Sequence, residues 1–364
     1  AMTVRALLVA SMVLVAAFVR AQDDLLPVGD VPLLQRGNLS ESQLLDVGVV
    51  IFHVGLTDGA EGEAGAYPKV REVESTFLPV TLRQVLVESN AWGVVRVLPE
   101  PSVLSELVVE TRLVESTGLR LVLQVQVRDA TGSLWFDRYY LAESGAGDYP
   151  VQAGDDPFKD LYHQVANDML LHREGLDESQ LRTIRRVAFL RYAGSLSPEA
   201  FAGYLTEVDG VASIQRLPAE GDEMIGRVER IRNQEYLFVD NVDEQYTELQ
   251  RDMAPAYNLW RQYDREQTLY RAEYEQRVAE RGRQGRRGSF SAMQQVYNQY
   301  KVAKVQEQDI RELARGFDNE TAPTVLQTSG RIFRLTGTLD AQYSEWRQIL
   351  RQIFALETGL PAAE

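Results

Sequence analysis

Residues 119–140 read LRLVLQVQVRDATGSLWFDRYY, and this stretch decides how the first part of the chain folds. Leucine or valine occupies every second position from Leu119 to Val127, and only Val122 interrupts the polar residues between them. This two-residue period is typical of a β-strand that buries one face. Asp129–Gly132 then supplies a turn, after which a strand starts again. We therefore predict a hairpin that belongs to a sheet.

The same patterns continue on the N-terminal side. Leu44–Gly55 is a nearly continuous apolar run that suits a central strand buried on both faces. Val70–Ser89 has helical spacing, and Pro79 in its middle should kink the helix or mark a late start. Residues 44–141 are therefore predicted to form a two-layer α/β domain with a mixed sheet. The four strands predicted after the helix are Val94–Leu98, Glu106–Glu115, Leu119–Arg128 and Ser133–Tyr140.

The sequences VGVVIF, AWGVVRVLPE and LVLQVQVRDATGSLWFDRYY, in this order, lie within Leu44–Tyr140. In element order and in the DATGSLW hairpin, this region resembles small α/β domains of the bacterial envelope. Examples are the N-terminal domain of the Tol–Pal system's periplasmic protein, the curli secretion lipoprotein and the auxiliary lipoproteins of lipid transporters. The whole chain is similar to exported envelope proteins of Gram-negative bacteria. These resemblances imply a cellular location and carry no active-site motif.

After the first domain, the composition predicts mainly helices, so the fold class is α+β. Residues 142–156 are interpreted as a linker, and residues 157–221 as a small helical region with a strand pair around Ala212–Leu217. Residues 222–322 are predicted to form an extended helical domain, a long helical hairpin. A β-hairpin and a C-terminal helix follow in residues 323–364.

The long hairpin is predicted from apolar residues at 3–4 spacing between Val228 and Tyr274. If this helix is continuous to about residue 282, it spans about 58 residues, or roughly 85 Å. Pro255 lies inside it and is expected to kink it. The basic stretch 281–289 breaks the pattern, and a second helix over Met293–Phe317 can pair with the first as an antiparallel coiled coil. Three polar residues interrupt the first helix's register: Glu235, Gln245 and Gln267.

The C-terminal segment carries a separate hairpin signal. Thr324–Thr328 and Ile332–Thr338 flank Ser329–Arg331, and Asp340 is expected to cap the final helix. The run SGRIFRLTGTLDAQYSEW resembles the hairpin and following helix of the BON domain, a small periplasmic module associated with outer-membrane and phospholipid contacts. The likeness covers part of that module, and its usual second repeat is missing.

Composition narrows the possible partners. The 364-residue chain has a net charge of −15 and no cysteine. Residues 22–156 carry 21 acidic and 9 basic side chains, which argues against nucleic acid because phosphate binding needs clustered lysine and arginine. The absence of cysteine excludes disulfides, zinc–thiolate sites, cysteine nucleophiles and a lipid-modified N-terminal cysteine.

The first residues resemble a secretory signal. Arg5 precedes an apolar run over Ala6–Val19, and cleavage after Ala21 would leave Gln22 as the mature start. Residues 22–43 then form an extended, polar lead-in. The predicted location is the periplasm. The alternative is an inner-membrane anchor made by an uncleaved N-terminal segment.

Catalytic chemistry has no recognisable signature in this sequence. The three histidines, His53, His163 and His172, match no metal-ligand spacing, and no serine nucleophile elbow or phosphate-binding glycine loop is present. We assign no catalytic residue, no metal ligand and no cofactor.

Two residue sets are candidate interaction sites. The first is a basic bend that forms either a solvated helix tip or a contact with anionic headgroups or an acidic partner: Arg281, Arg283, Arg286 and Arg287. The second is an aromatic ridge that forms either the core between two helices or a partner groove: Tyr257, Trp260, Tyr263, Tyr270 and Tyr274.

The predicted function is a non-catalytic periplasmic component of the cell envelope, an adaptor or assembly factor whose long helices reach a protein partner or a membrane surface. One alternative is a lipid-associated accessory protein of an envelope transporter, in contact with phospholipid. Another is a hydrolase with an unrecognised site. The sequence indicates no oligomeric state.

Overall fold

The computed structural model describes residues 25–37, 39–55, 68–283, 324–328, 331–335 and 338–359. The predicted signal segment and the second helix of the predicted hairpin lie outside the described residues. Within them the predicted α+β fold class is confirmed: the chain has an N-terminal mixed sheet with helices, one very long helix and a terminal helix.

The strands of the N-terminal sheet are β1 Val47–Val50, β2 His53–Val54, β3 Val95–Leu98, β4 Leu107–Ser116, β5 Arg120–Asp129 and β6 Leu134–Glu143. Their order is β3-β1-β4-β5-β6, with β2 paired to β4. Strand β1 pairs in parallel with β3 and β4, whereas β4, β5 and β6 form an antiparallel meander. The four strands predicted after the helix are confirmed to within a few residues.

Helix α1, Pro68–Glu88, runs through Pro79 without a break, so the expectation of a late start is wrong. Proline has no N–H to bond the carbonyl four residues earlier, that of Ser75. The Phe52 amide donates to this carbonyl at 2.8 Å. The same hydrogen bond explains why Leu44–Gly55 is not one strand. Phe52 lies between β1 and β2, and there the backbone bonds to α1.

A first core lies between the sheet and a helical layer made of α1 and α2, Lys159–Glu174. The alternate residues of β5 predicted to be apolar are buried here, and the polar ones are only partly covered. Three residues of the long helix also belong to this core: Met253, Tyr257 and Trp260.

The long helix α4, Glu223–Arg283, has 61 residues and spans about 90 Å. Its first half forms a second core with α3, Glu178–Leu196, and α5, Leu339–Thr358. Strands β9, Thr324–Thr328, and β10, Arg331–Leu335, form the predicted C-terminal hairpin. Thr338, rather than Asp340, caps α5 by accepting from the Ala341 amide. Because α4 contributes to both cores, the cores cross the predicted domain boundaries.

A short hairpin connects α3 and α4 but lies earlier than the pair predicted around Ala212–Leu217. Its strands are β7, Leu205–Val208, and β8, Val211–Ile214. Asp209 and Gly210 form the turn with φ of 52° and 80°. Asp–Gly is a preferred pair for such turns. The Asp209–Gly210 pair therefore indicates the observed position of the hairpin better than the apolar residues of this region do.

Candidate interaction site

Helix α4 carries the predicted aromatic ridge and the first two arginines of the predicted basic bend, and four buried polar contacts attach it to the rest of the molecule. At the first contact, Glu235 is 3% exposed within the second core. The Tyr343 hydroxyl of α5 lies 2.8 Å from Glu235 Oε1 and 2.8 Å from Ser102 Oγ. Arg347 Nε lies 3.7 Å from the same carboxylate. Glu235, one of the three polar residues that interrupt the heptad register, therefore joins α4 to α5 and to the connection between β3 and β4.

The second contact lies two helical turns later, at Asp243. One of its carboxylate oxygens accepts the Val97 amide of β3 at 2.7 Å, and the other accepts Arg83 Nη2 of α1 at 2.7 Å. Burial raises the pKa of Asp243, although both hydrogen bonds oppose the rise. Because β3 is an edge strand of the sheet, its backbone N–H groups could pair with a strand of another chain. The Asp243 carboxylate prevents this at Val97 by accepting its N–H.

At the third contact, Glu74 of α1 is fully buried and connects three elements. Arg71 Nη1 donates to Glu74 Oε2 at 2.6 Å, while the hydroxyls of Ser116 and Tyr257 donate to Oε1 at 2.5 and 2.8 Å. Burial raises the pKa of Tyr257, and the neighbouring Glu74 raises it further, so the phenol stays protonated and acts as a donor.

The fourth contact is an ion pair between Arg261 of α4 and Asp156. Both terminal nitrogens of Arg261 donate to Asp156 Oδ2, at 3.0 and 2.9 Å, and the Arg261 side chain is 1% exposed. Burial opposes the charged guanidinium, but the neighbouring Asp156 raises the pKa of Arg261 above its ordinary value. The guanidinium also lies 4.6 Å from the centre of the Tyr257 ring. Residues 142–156, predicted to be a linker, thus supply a partner for α4.

The predicted aromatic ridge is divided by the structure. Tyr257 and Trp260 are each 1% exposed and pack in the first core, which is an intramolecular role. Tyr263 is 42% exposed, and Tyr270 is half-buried. The side chain of Tyr274 lies outside the description, although its backbone belongs to α4.

An apolar stripe that combines Leu259 with Tyr263 and Tyr270 of the predicted ridge lies on the outer side of α4. At 100° per residue, Leu259, Tyr263 and Tyr270 fall within 40° of one another. Leu259 is 41% exposed and Tyr263 is 42% exposed, so each keeps a large accessible area in the described part of the chain. We call these three residues the outer stripe.

The predicted basic bend is only partly within the described residues. Arg281 and Arg283 belong to the last turn of α4, but nothing is described of their side chains. Arg286 and Arg287 lie outside the described residues. The bend therefore stays a prediction from the sequence.

The histidines occupy three separate places. His53 is exposed on β2, His163 Nδ1 lies 2.7 Å from the Val31 carbonyl, and the His172 ring stacks on Trp135 at 4.6 Å. Across the described ranges, no group of three or more histidine, aspartate or glutamate side chains could hold a metal ion. No described helix combines the length and hydropathy that a bilayer span needs.

Sequence reasoning missed most of the buried contacts of α4. Asp243, Arg261 and Asp264 are all at most 6% exposed, although their residue types are typical of solvated surface. One feature of the sequence indicates that Asp243 and Arg261 are buried: they directly follow the core residues Val242 and Trp260. A charged residue beside a helix's apolar stripe points to the same side of the helix and needs a partner there.

Comparisons with known proteins add little. No protein-family model matches the chain, and no curated protein matches it significantly. Among solved structures, the chain is similar to a dodecamer of a PelC point variant from Paraburkholderia phytofirmans, with 14% identity over 39% of this chain and 94% of that chain. The TM-score is 0.20, which is too low to support an argument about fold or function.

Proposed function

We propose that this protein is a non-catalytic periplasmic component of the cell envelope, an adaptor or assembly factor that binds a protein partner through the outer stripe of α4. One observation carries this proposal. Leu259 and Tyr263 are 41% and 42% exposed on a helix whose other side is buried, and α4 continues for 16 residues, about 24 Å, beyond Gln267, its last residue described as buried.

The anchored part of α4 gives this extension a defined direction. Buried ion pairs and hydrogen bonds require specific geometry, because a charge left buried without its partner is strongly destabilising. Glu235, Asp243 and Arg261 meet partners on three different elements, so α4 has little freedom to slide or rotate. A helix held in this way presents Tyr263 at a fixed place, which suits recognition more than catalysis.

Partner recognition by such a surface depends on a few large side chains. Tyrosine is enriched among the residues that dominate binding energy, since it buries a large area at a low cost in side-chain entropy. The periplasmic location in this proposal rests on the predicted secretory signal and on the resemblance to envelope proteins.

The test is capture from crosslinked bacterial envelopes with the full chain as bait. We expect one envelope protein to be enriched, and the double variant Leu259→Ser/Tyr263→Ser to lose at least about tenfold of that enrichment. The matched control is Leu237→Ser, which removes a leucine that is 58% exposed on the anchored half of α4. Equal capture by all three proteins would contradict the proposal, and copurifying phospholipid without a protein would support the transporter-accessory alternative instead.

A further inference from the structure

The N-terminal sheet has two edge strands, β3 and β6, and each meets a different part of the chain. At β3, the Asp243 carboxylate of α4 accepts the Val97 N–H at 2.7 Å. At β6, the Val28 N–H donates to the Leu141 carbonyl at 2.7 Å, and Val28 belongs to a segment that is not part of the sheet. The outer edge of β6 therefore already bonds a polypeptide backbone at one position.

The hydrogen bond at Leu141 shows which backbone groups of β6 face away from β5. In an antiparallel pair, successive residues alternate between bonding the neighbouring strand and facing the other side. Leu141 faces outward, because its carbonyl bonds Val28. The register between β5 and β6 is regular from Leu141 back to Phe136, so Tyr139 and Asp137 also face outward.

The outward groups of Asp137 and Tyr139 are available for pairing. Among the described residues, none outside the sheet bonds the N–H or the C=O of either one. Two residues along a strand span about 7 Å, and a second strand repeats its own donors and acceptors at the same interval. An extended backbone can therefore pair with all four groups, and a strand of a polypeptide is the occupant that they fit.

The charged side chains of this stretch do not protect the edge. Edge strands are commonly protected by charged residues, proline or a bulge. Here the Asp137 carboxylate accepts from the amides of Gln124 and Gln126 on β5 at 2.9 and 3.1 Å. Arg138 Nη1 donates to Asp168 on α2 at 2.8 Å. Both side chains are thus held by neighbouring elements on the two faces of the sheet, while Asp137 and Arg138 are exposed.

Charge favours a basic strand as the occupant. Residues 22–156 carry 21 acidic and 9 basic side chains, and the partners described for the Asp137 carboxylate are uncharged amides. Side chains directly opposite each other on paired strands are neighbours, so a lysine or arginine of an added strand would reach Asp137. A second copy of this chain would instead bring its own net charge of −15 to the same edge.

We propose that the outer edge of β6 at Asp137–Tyr139 binds an extended, basic segment of another polypeptide as an additional strand of the sheet. The outward N–H and C=O groups of Asp137 and Tyr139 bond its main chain, and the Asp137 carboxylate pairs with its lysine or arginine. This surface includes no residue of the outer stripe, so the inference does not depend on the proposed function.

The first test uses a random nonapeptide library displayed on phage and selected on the full chain. We expect the enriched peptides to be basic. Synthetic copies are then methylated at one backbone nitrogen at a time and titrated by calorimetry. A peptide that pairs as a strand bonds β6 through every second N–H, so methylation at alternate positions should raise its Kd more than tenfold. Methylation at the positions between them, the matched control, should leave the Kd unchanged.

The second test changes the edge itself. Tyr139→Pro removes an outward N–H that β5 does not use, and proline is tolerated on edge strands at such positions. Tyr139→Ala is the matched control, because it removes the same side chain and keeps the N–H. We expect the Kd of the enriched peptides to be more than tenfold higher for Tyr139→Pro than for Tyr139→Ala, and Asp137→Asn to weaken them three- to tenfold. Urea denaturation verifies that all three variants are folded.

A third readout needs no substitution. In the wild type, peptide binding should slow the hydrogen exchange of the Asp137 and Tyr139 amides at least tenfold, as measured by NMR. The amides of Arg138 and Tyr140 serve as the reference, because they already bond β5 and should be protected without peptide.

The inference would be overturned by the absence of enriched peptides, by methylation effects that do not alternate, or by unchanged exchange at Asp137 and Tyr139. Equal Kd values for Tyr139→Pro and Tyr139→Ala would also overturn it. Dimerisation of the wild type that Tyr139→Pro abolishes would assign the edge to a second copy of the chain and overturn the occupant proposed.

Discussion

At Gly118, in the turn between β4 and β5, the backbone of α4 closely approaches the sheet. A β-carbon at this position would collide with the backbone carbonyl of Arg261. The Gly118 amide donates to Asp264 at 2.8 Å, and its carbonyl accepts from the hydroxyls of Ser144 and Tyr149. The absence of a side chain at Gly118 allows α4 to pack against this turn.

We therefore expect Gly118→Ala to lower the free energy of unfolding by about 2–3 kcal/mol, because backbone atoms must move apart to admit the methyl group. Urea denaturation measures the change. The control is Gly226→Ala in α4, where a β-carbon meets nothing within 4 Å and should stabilise the helix by about 0.5–1 kcal/mol. If the two substitutions had effects of the same sign, the close approach at Gly118 would be wrong.

Glu235 gives the protein a specific pH dependence. Burial raises the pKa of Glu235, although Arg347 and Tyr343 oppose the rise. Because the folded-state pKa lies above the unfolded value of about 4.5, the stability linked to this group is complete below that pH and falls as pH rises through the folded-state pKa.

Glu235→Gln should flatten this fall, since the amide cannot ionise. We expect the free energy of unfolding to decrease less steeply above pH 4.5 in the variant than in the wild type. Some slope should persist, because burial also raises the pKa values of Asp243 and Glu106. Urea denaturation at several pH values measures this, with the exposed Glu244→Gln as the control. A variant slope as steep as that of the wild type would contradict the role of Glu235.

At the scale of elements, the docking of α4 on strand β3 decides whether β3 is a free edge of the sheet. Asp243→Ala would leave the buried Val97 amide and the Arg83 guanidinium without this acceptor. We expect the free energy of unfolding to fall by about 2–3 kcal/mol. This is less than the usual cost of breaking a fully buried ion pair, because the Arg83 side chain is 26% exposed. The control is Asp240→Ala, whose carboxylate is 51% exposed beside Arg96 and should cost less than about 1 kcal/mol.

Chemical denaturation again supplies the measurement, and light scattering adds a second readout. An uncovered edge strand pairs with other chains, so Asp243→Ala should also associate at concentrations where Asp240→Ala stays dispersed. Equal stabilities of the two variants would show that the carboxylate of Asp243 does not hold α4 on the sheet.

The individual elements were largely predictable because their signals are local. The alternation in β5 and the helical spacing of α4 appear within windows of about 10 to 20 residues. The strand in Leu44–Gly55 was predicted too long, because its interruption depends on the carbonyl that Pro79 leaves free in α1. That hydrogen bond joins residues far apart in the chain and leaves no mark on the local pattern.

At the scale of the whole molecule, α4 joins the two cores and then continues past them. We predict that its amides exchange slowly with solvent from Val228 to about Asp264 and more quickly beyond Gln267, because Gln267 is its last residue described as buried and tertiary packing supplies most of the stability of a helix. Hydrogen exchange followed by mass spectrometry measures this, and the amides of α5 around Trp346 serve as the protected reference. Slow exchange up to Arg283 would mean that packing protects α4 beyond Gln267 in the free protein, and would count against an extension that is available to a partner.

The sequence by itself determined the class of the fold, the four strands after α1, the long amphipathic helix, and the C-terminal hairpin and helix. These follow from periodicity and turn residues, which act over a few neighbours. The tertiary structure alone decided that α4 covers the β3 edge of the sheet, that Tyr257 and Trp260 are core residues, and that Asp156 is a partner for Arg261. The physical reason is that burial and ion pairing depend on residues distant in the chain, such as Val97 and Asp243, which are 146 positions apart.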